Sequence, residues 1–187
     1  MSTEPGVASP VTERPSAEPL VARVLRLRMS RRERAALRRG ARPITRPYAL
    51  PLIGAYVRPY EQEAAFRFAA LCATFHGTGH QSGRPLGRAL RLSDPTRGDA
   101  EGPIARRLFV LQRQPLVLAD STIRSVLTIA APPSVDWNDV LWLLRLWDHT
   151  DLGRRVEVRQ RLLRDFYMNT GAPESLTTDP PERNEES

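Results

Sequence analysis

Residues 134–148, SVDWNDVLWLLRLWD, constrain the fold more than any other stretch and hold all three tryptophans of the chain. At about 100° per residue, Trp137, Val140, Leu141, Leu144 and Trp147 share one helical face. Trp142, Leu143 and Leu146 lie opposite, which leaves only Asn138, Asp139 and Arg145 for water. A helix apolar nearly all round belongs in the interior of a protein. It falls short of the ~20 apolar residues that span a bilayer. Asp136 or Ser134 can cap its first amides. The stretch predicts a central core helix with one apolar face left over for a partner.

The rest of the chain reads as shorter helices. Leu20, Val21, Val24, Leu25 and Leu27 recur at helical spacing. Ser30 and Glu33 form a capping box that opens a helix through Leu37, with Arg38 and Arg39 at its negative end and Gly40 stopping it. A proline-punctuated segment, 43–59, follows, with a short helix expected near 48–56. Ala64, Phe68, Leu71 and Phe75 repeat at offsets of 0, 4, 7 and 11, widened by Ala65 and Cys72. Residues 86–92 form a short helix and 93–103 a loop. Ile104, Leu108 and Leu111 carry the next helix. Another begins at Ala119 or Asp120, uses Ile123, Val126, Leu127 and Ala130, and closes at Pro132. The last runs from Leu152 or Arg154 to Met168 on Val156, Leu163, Phe166 and Tyr167. No alternating strand pattern and no fixed repeat occurs.

These elements predict an all-α fold, a compact bundle of roughly seven to eight short helices. The chain divides into a disordered leader over residues 1–19, one helical domain over 20–170, and a loose tail over 171–187. A body of about 150 residues buries enough surface to need no staples. The single cysteine excludes an internal disulfide framework, and the polar start lacks a signal-peptide pattern, which together point to the cytoplasm.

Site chemistry is sparse. Cys72, His76 and His80 stand four residues apart, but Gly77 and Gly79 interrupt any common helix, so the spacing favours a core cysteine over a metal ligand. His149 beside Asp148 and Asp151 reads as a helix-terminal turn. There is no phosphate-binding glycine loop after a strand and no nucleophile elbow. The expectation is a protein without enzymatic activity, cofactor or metal.

Charge is the stronger signal. All 28 basic residues are arginine, and the net charge is +7. A GC-rich coding bias accounts for arginine over lysine, though not for the excess, and such an excess most often meets a polyanion, nucleic acid foremost. Four clusters stand out: Arg38, Arg39 and Arg42; Arg84, Arg88 and Arg91; Arg106, Arg107 and Arg113; and Arg154, Arg155, Arg159 and Arg161. The guanidinium fork suits phosphate oxygens. With few aromatics expected outside the core, backbone contacts outrank base reading.

Several stretches resemble the CasB family, the small subunit of the type I-E CRISPR surveillance complex Cascade. They are PLGRAL at 85–90, RRLFVLQR at 106–113, Asp136-Trp137, LLRDF at 162–166, and, nearer the start, RAALRRG at 34–40 with Phe75-His76. The likeness spans about residues 20–170. It implies an all-α, non-catalytic subunit present in two copies. Its partners would be the backbone subunits, the large subunit, CRISPR RNA and target DNA. Its role would be to hold the target and displaced strands of the R-loop. The nucleic-acid-binding positions that carry over are Arg38, Arg39, Arg88, Arg106, Arg107 and Arg113, with Arg154 and Arg155 in looser register. With this family in view, the Trp137 face packs against Leu163 and Phe166, and Trp142 and Leu146 become possible interface residues. Two other readings stay open: a free-standing helical DNA-binding regulator and a protein–protein scaffold.

Overall fold

The computed structural model describes residues 18–96 and 102–168. The expected C-terminal tail, nearly all of the leader and the middle of the 93–103 loop lie outside the described residues. The fold is all-α. In order come α1 (Glu18–Leu27), α2 (Arg31–Arg39), α3 (Leu50–Ile53), α4 (Gln62–Thr74), α5 (Leu86–Ser93), α6 (Pro103–Leu111), α7 (Leu116–Ala130), α8 (Trp137–Leu146) and α9 (Leu152–Tyr167). Eight of these run eight residues or longer; α3 is a single turn. Prolines divide the stretch between α2 and α4. Three 3-10 turns, Pro43–Tyr48, Gly54–Tyr56 and Pro59–Glu61, flank α3, where prolines 43, 51 and 59 start elements and Pro47 interrupts one.

The innermost helix is α4, not α8. Every residue from Ala64 to Ala73 is buried. Its five alanines allow close approach on all sides, and α1, α2, α7 and α8 pack against it. Even Arg67 lies inside, paired with Glu63 at 2.6 Å and with Asp120 at 3.6 Å. Helix α8 buries Trp137, Val140, Leu141, Leu143 and Leu144, while Trp142, Arg145 and Leu146 stay half-buried.

Trp137 makes its ring and hydrogen-bond contacts with the N-terminal half. Its ring meets Phe68 edge-on at 6.3 Å, the Arg28 guanidinium lies 5.6 Å from its centroid, and its indole N–H donates to the Thr78 carbonyl. Helix α9 buries Val158, Leu162 and Phe166, spaced four apart, and makes α5 its principal neighbour. Val156 is exposed and Leu163 only partly covered, so the apolar stripe of α9 is rotated from the expected one.

Long-range contacts set several boundaries. The Asp148 carboxylate accepts from the Leu116 N–H at 2.7 Å, which starts α7 three residues before the expected Ala119. Gly79–His80 and Ser134–Val135 form a two-residue parallel pair, too short to leave an alternating pattern in the sequence. It fastens the turn after α4 to the entry of α8. Asp136 caps α8 by accepting from Asn138 and also takes the Gly83 N–H at 2.9 Å. Ser30 caps α2 by accepting the Glu33 N–H, one half of the capping box, while its own N–H donates to the Leu27 carbonyl. No described helix is long and apolar enough to cross a membrane.

Candidate nucleic-acid interface

Three of the four arginine clusters split into members that build the fold and members that face water, and the Arg106, Arg107 and Arg113 cluster is exposed throughout. In the last cluster, Arg159 donates to the carbonyls of Gln112 (2.6 Å), Gln114 (3.3 Å) and Trp147 (3.0 Å) and pairs with Asp148 at 3.2 Å. It clamps the α6–α7 turn to the end of α8. Arg161 bridges Asp139 at 2.9 Å and Asp165 at 3.6 Å, with its guanidinium 4.8 Å from the Trp142 centroid. Burial pushes the carboxyls of Asp139 and Asp165 up, and Arg161 opposes that shift in both. Arg154 is exposed and Arg155 half-exposed in the first turn of α9.

The cluster on α5 divides likewise. Leu86, Gly87, Ala89 and Leu90 are all buried, so within LGRAL only Arg88 turns outward. Arg84 donates to Gln81 and Ser134, and Arg91 lies 5.8 Å from the Phe166 centroid. On α2, Arg38 is exposed but gives one N–H to the Ala73 carbonyl at 3.1 Å, satisfying an end carbonyl of α4. Arg39 is exposed with its guanidinium 5.1 Å from the Tyr48 centroid.

Helix α6 brings the remaining candidates together. Ile104, Ala105, Leu108 and Leu111 are buried, and Arg106 and Arg107 project from the opposite side. With Val110 and, from α7, Ser121, Thr122 and Ser125, they line a groove of about 340 Å³. Arg107 also donates to the Pro103 carbonyl in its own helix. A second groove of about 520 Å³ opens at the C-terminal end of α6 and joins Arg113 to Arg155 and Arg159. The two grooves together present the guanidiniums of Arg106, Arg107, Arg113 and Arg155 beside the hydroxyls of Ser121, Thr122 and Ser125, groups that can donate to phosphate oxygens. Arg38, Arg39, Arg88 and Arg154 line neither groove.

The other chemistry raised by the sequence is structural in place. Cys72 is fully buried, and burial drives its thiol pKa up. His76 is exposed, while His80 sits on the short strand pair and accepts the Trp137 N–H, so the three share no face. Among the described residues no three potential metal ligands cluster. His149 accepts the Asp151 N–H, closing the turn before α9. The Trp142 ring is half-buried under Arg161, and Leu146 is half-buried beside the core.

The sequence reading passed over the tyrosines of the proline-rich segment. Tyr48, Tyr56 and Tyr60 are all exposed, and the Arg58 guanidinium donates to the Tyr60 hydroxyl at 2.7 Å. Pro-Tyr at 47–48 and 59–60 was the available signal, because a ring carried on a 3-10 turn has no helix face to turn inward.

Residues 33–167 match the family described as CRISPR-associated protein Cse2. No curated protein matches the chain in sequence. Among solved structures it is similar to CasB from Thermus thermophilus, at 25% identity and a TM-score of 0.64, covering 81% of this chain and 97% of that one. A chain of E. coli Cascade bound to a PAM-containing dsDNA target is similar at 27% identity and a TM-score of 0.62, covering 83% and 96%. So is a chain of a CRISPR RNA-guided surveillance complex, at 26% identity and 0.63, covering 80% and 90%. With a match running from within α2 to the end of α9 and this fold in common, the chain belongs to the Cse2 family of CRISPR-associated proteins.

Proposed function

We propose that this protein is a non-catalytic subunit of a type I-E Cascade complex, holding target DNA in the R-loop through sequence-independent arginine contacts. Its partners are the backbone and large subunits, CRISPR RNA, target DNA and a second copy of itself. Its helical domain is the unit spanning residues 20–170, and it works in the cytoplasm, where the complex meets DNA. Relatives of the same fold are chains of a CRISPR RNA-guided complex and of Cascade bound to dsDNA, which supports the assembly. The observation that carries the nucleic-acid role is the outward row of Arg106, Arg107 and Arg113 along two grooves of α6.

The physics suits such a role. Guide–target pairing reads the sequence, and opening the duplex is a near-balanced exchange that modest backbone contacts can tip. A subunit of this kind needs charge along a strand and no base-reading helix. The regulator reading lacks that helix as well, because Arg124, the basic candidate on the Ile123–Ala130 stretch, is held by Asp120 and Thr74. Replacing Arg106, Arg107 and Arg113 together with Ala in the reconstituted complex tests the proposal. Target affinity near 0.15 M salt should fall several-fold with subunit incorporation unchanged; unaltered affinity would refute this assignment.

A further inference from the structure

The positive charge of this chain is concentrated in one place. Residues 29–60 contain eight arginines and a single acidic residue, Glu33, a surplus equal to the +7 of the whole chain. By formal count everything outside that window is neutral. The window covers α2 and the proline-rich segment, and none of its residues lines either groove of α6.

At its centre lies an arginine–tyrosine pair. The Arg39 guanidinium sits 5.1 Å from the Tyr48 centroid, and Tyr48 is 58% exposed. The Thr45 hydroxyl donates to the Arg39 carbonyl and ties the 3-10 turn carrying Tyr48 to the end of α2. The Ala49 side chain, next in sequence, is fully buried, which anchors the turn from the other side. The ring is thus held in position, one face toward a guanidinium and much of its surface open. Arg42, between the two in sequence, is exposed, and its guanidinium makes no hydrogen bond or ion pair among the described residues.

We propose that the Arg39–Tyr48 pair is a base-stacking platform for unpaired nucleic acid, with Arg42 taking an adjacent phosphate. This rests on the reading that the protein meets nucleic acid, and deepens it by naming a single strand as the ligand. Unpaired bases offer π-faces to an aromatic ring or a guanidinium plane, and duplex bases hide theirs. A platform of this kind is indifferent to sequence, because every base has a π-face. An acidic peptide could engage the guanidiniums, but it would draw Arg39 off the ring and leave Tyr48 unused.

Full-length protein titrated with a fluorescent oligothymidylate, and separately with a duplex of matched charge, tests this. Tyr48→Ala should weaken single-strand binding about tenfold, and Tyr48→Phe should restore it. Duplex binding should change less than twofold in either variant. Equal single-strand affinity for wild type and Tyr48→Ala overturns the platform. So does tighter binding of polyglutamate than of the oligothymidylate, unaltered by Tyr48→Ala, which would point to an acidic protein partner. A parallel titration of the Arg106, Arg107 and Arg113 triple variant separates the two proposals. If the triple variant loses binding while Tyr48→Ala does not, the platform fails and the α6 reading stands. If only Tyr48→Ala loses binding, the platform stands and the α6 assignment fails.

Discussion

Gly87 and Leu162 meet backbone to backbone: a Cβ at Gly87 would lie 2.4 Å from the Leu162 carbonyl oxygen and 2.8 Å from both the Asp165 Cβ and the Phe166 N. This contact lets α5 lie flat on α9 and leaves Arg88 as the outward residue of its turn. No flexible side chain can yield there, so Gly87→Ala must part the two helices. Overpacking of this sort costs about 1–3 kcal/mol. For a chain of this size that is a fall of roughly 2–12 °C in Tm. Thermal unfolding by circular dichroism would show it; an unchanged Tm would mean that the two helices do not meet in this way.

Arg159 and Arg155 are four residues apart on α9 and line the same groove, yet they should behave oppositely. Arg159 satisfies three backbone carbonyls and pairs with Asp148, so Arg159→Ala leaves those acceptors short. The expected loss is about 2–3 kcal/mol in urea unfolding. Arg155 is half-exposed, and its replacement by Ala should change stability by less than about 0.5 kcal/mol. Equal losses would erase the distinction between fold-building and outward arginines.

The same distinction should appear in salt dependence. Each phosphate neutralised on a single strand adds about 0.7 to the slope of log K against log salt. Arg88 faces water and touches no described partner, so Arg88→Ala should lower that slope by about 0.7 if it reaches a phosphate. Arg46 is tied to Glu63 at 2.6 Å and stacked on Phe66, and its loss should leave the slope unaltered. Binding isotherms at four or five salt concentrations decide the matter.

These pairs also show what the sequence could and could not disclose. The apolar spacing of α4, α6 and α7, the Ser30 cap and the Asp136 cap were legible because each depends on neighbours within one or two turns. The start of α7 was not, because its cap is Asp148, 32 residues further on. The contacts of Trp137 with Phe68, Arg28 and Thr78 were not legible, because periodicity identifies a face without naming what covers it. The arginine clusters were visible as clusters, but not that Arg88 turns to water while Arg91 lies over Phe166 of α9. Glycine 87 stood within a motif that carried the family likeness, yet its reason, a carbonyl from another helix, is tertiary.

Glu63 gives a pH dependence of definite sign. Burial opposes its ionisation, but hydrogen bonds from Arg46 and Arg67 outweigh that and hold its pKa below the ordinary glutamate value. A depressed folded pKa means that the unfolded chain binds the proton more readily. The stabilisation is present above about pH 4.3, the unfolded value, and is lost as pH falls through the folded one. Glu63→Gln should therefore be less stable than wild type at pH 7, with the gap narrowing toward pH 3. A gap that stays constant from pH 7 to pH 3 would show that the two arginines do not bias this carboxylate.

Trp142 separates a packing role from an interface role. Its ring is half-buried, with the Arg161 guanidinium 4.8 Å from the centroid, and Leu146 lies one turn further along the same helix. Full truncation of a buried aromatic costs about 3–5 kcal/mol, so a half-covered one should cost about 1–2. Leu163 is also a partly buried residue packed on the core, and Leu163→Ala provides a variant of comparable stability loss on another helix. If Trp142 and Leu146 pack against a neighbouring subunit, Trp142→Ala should incorporate into the reconstituted complex less well than Leu163→Ala at equal concentration, and Leu146→Ala should share the defect. Aromatic anchors of this kind carry a disproportionate share of interface energy. Equal incorporation of all three variants would assign the Trp142 face to the fold of the single chain, with Arg161 as its cover.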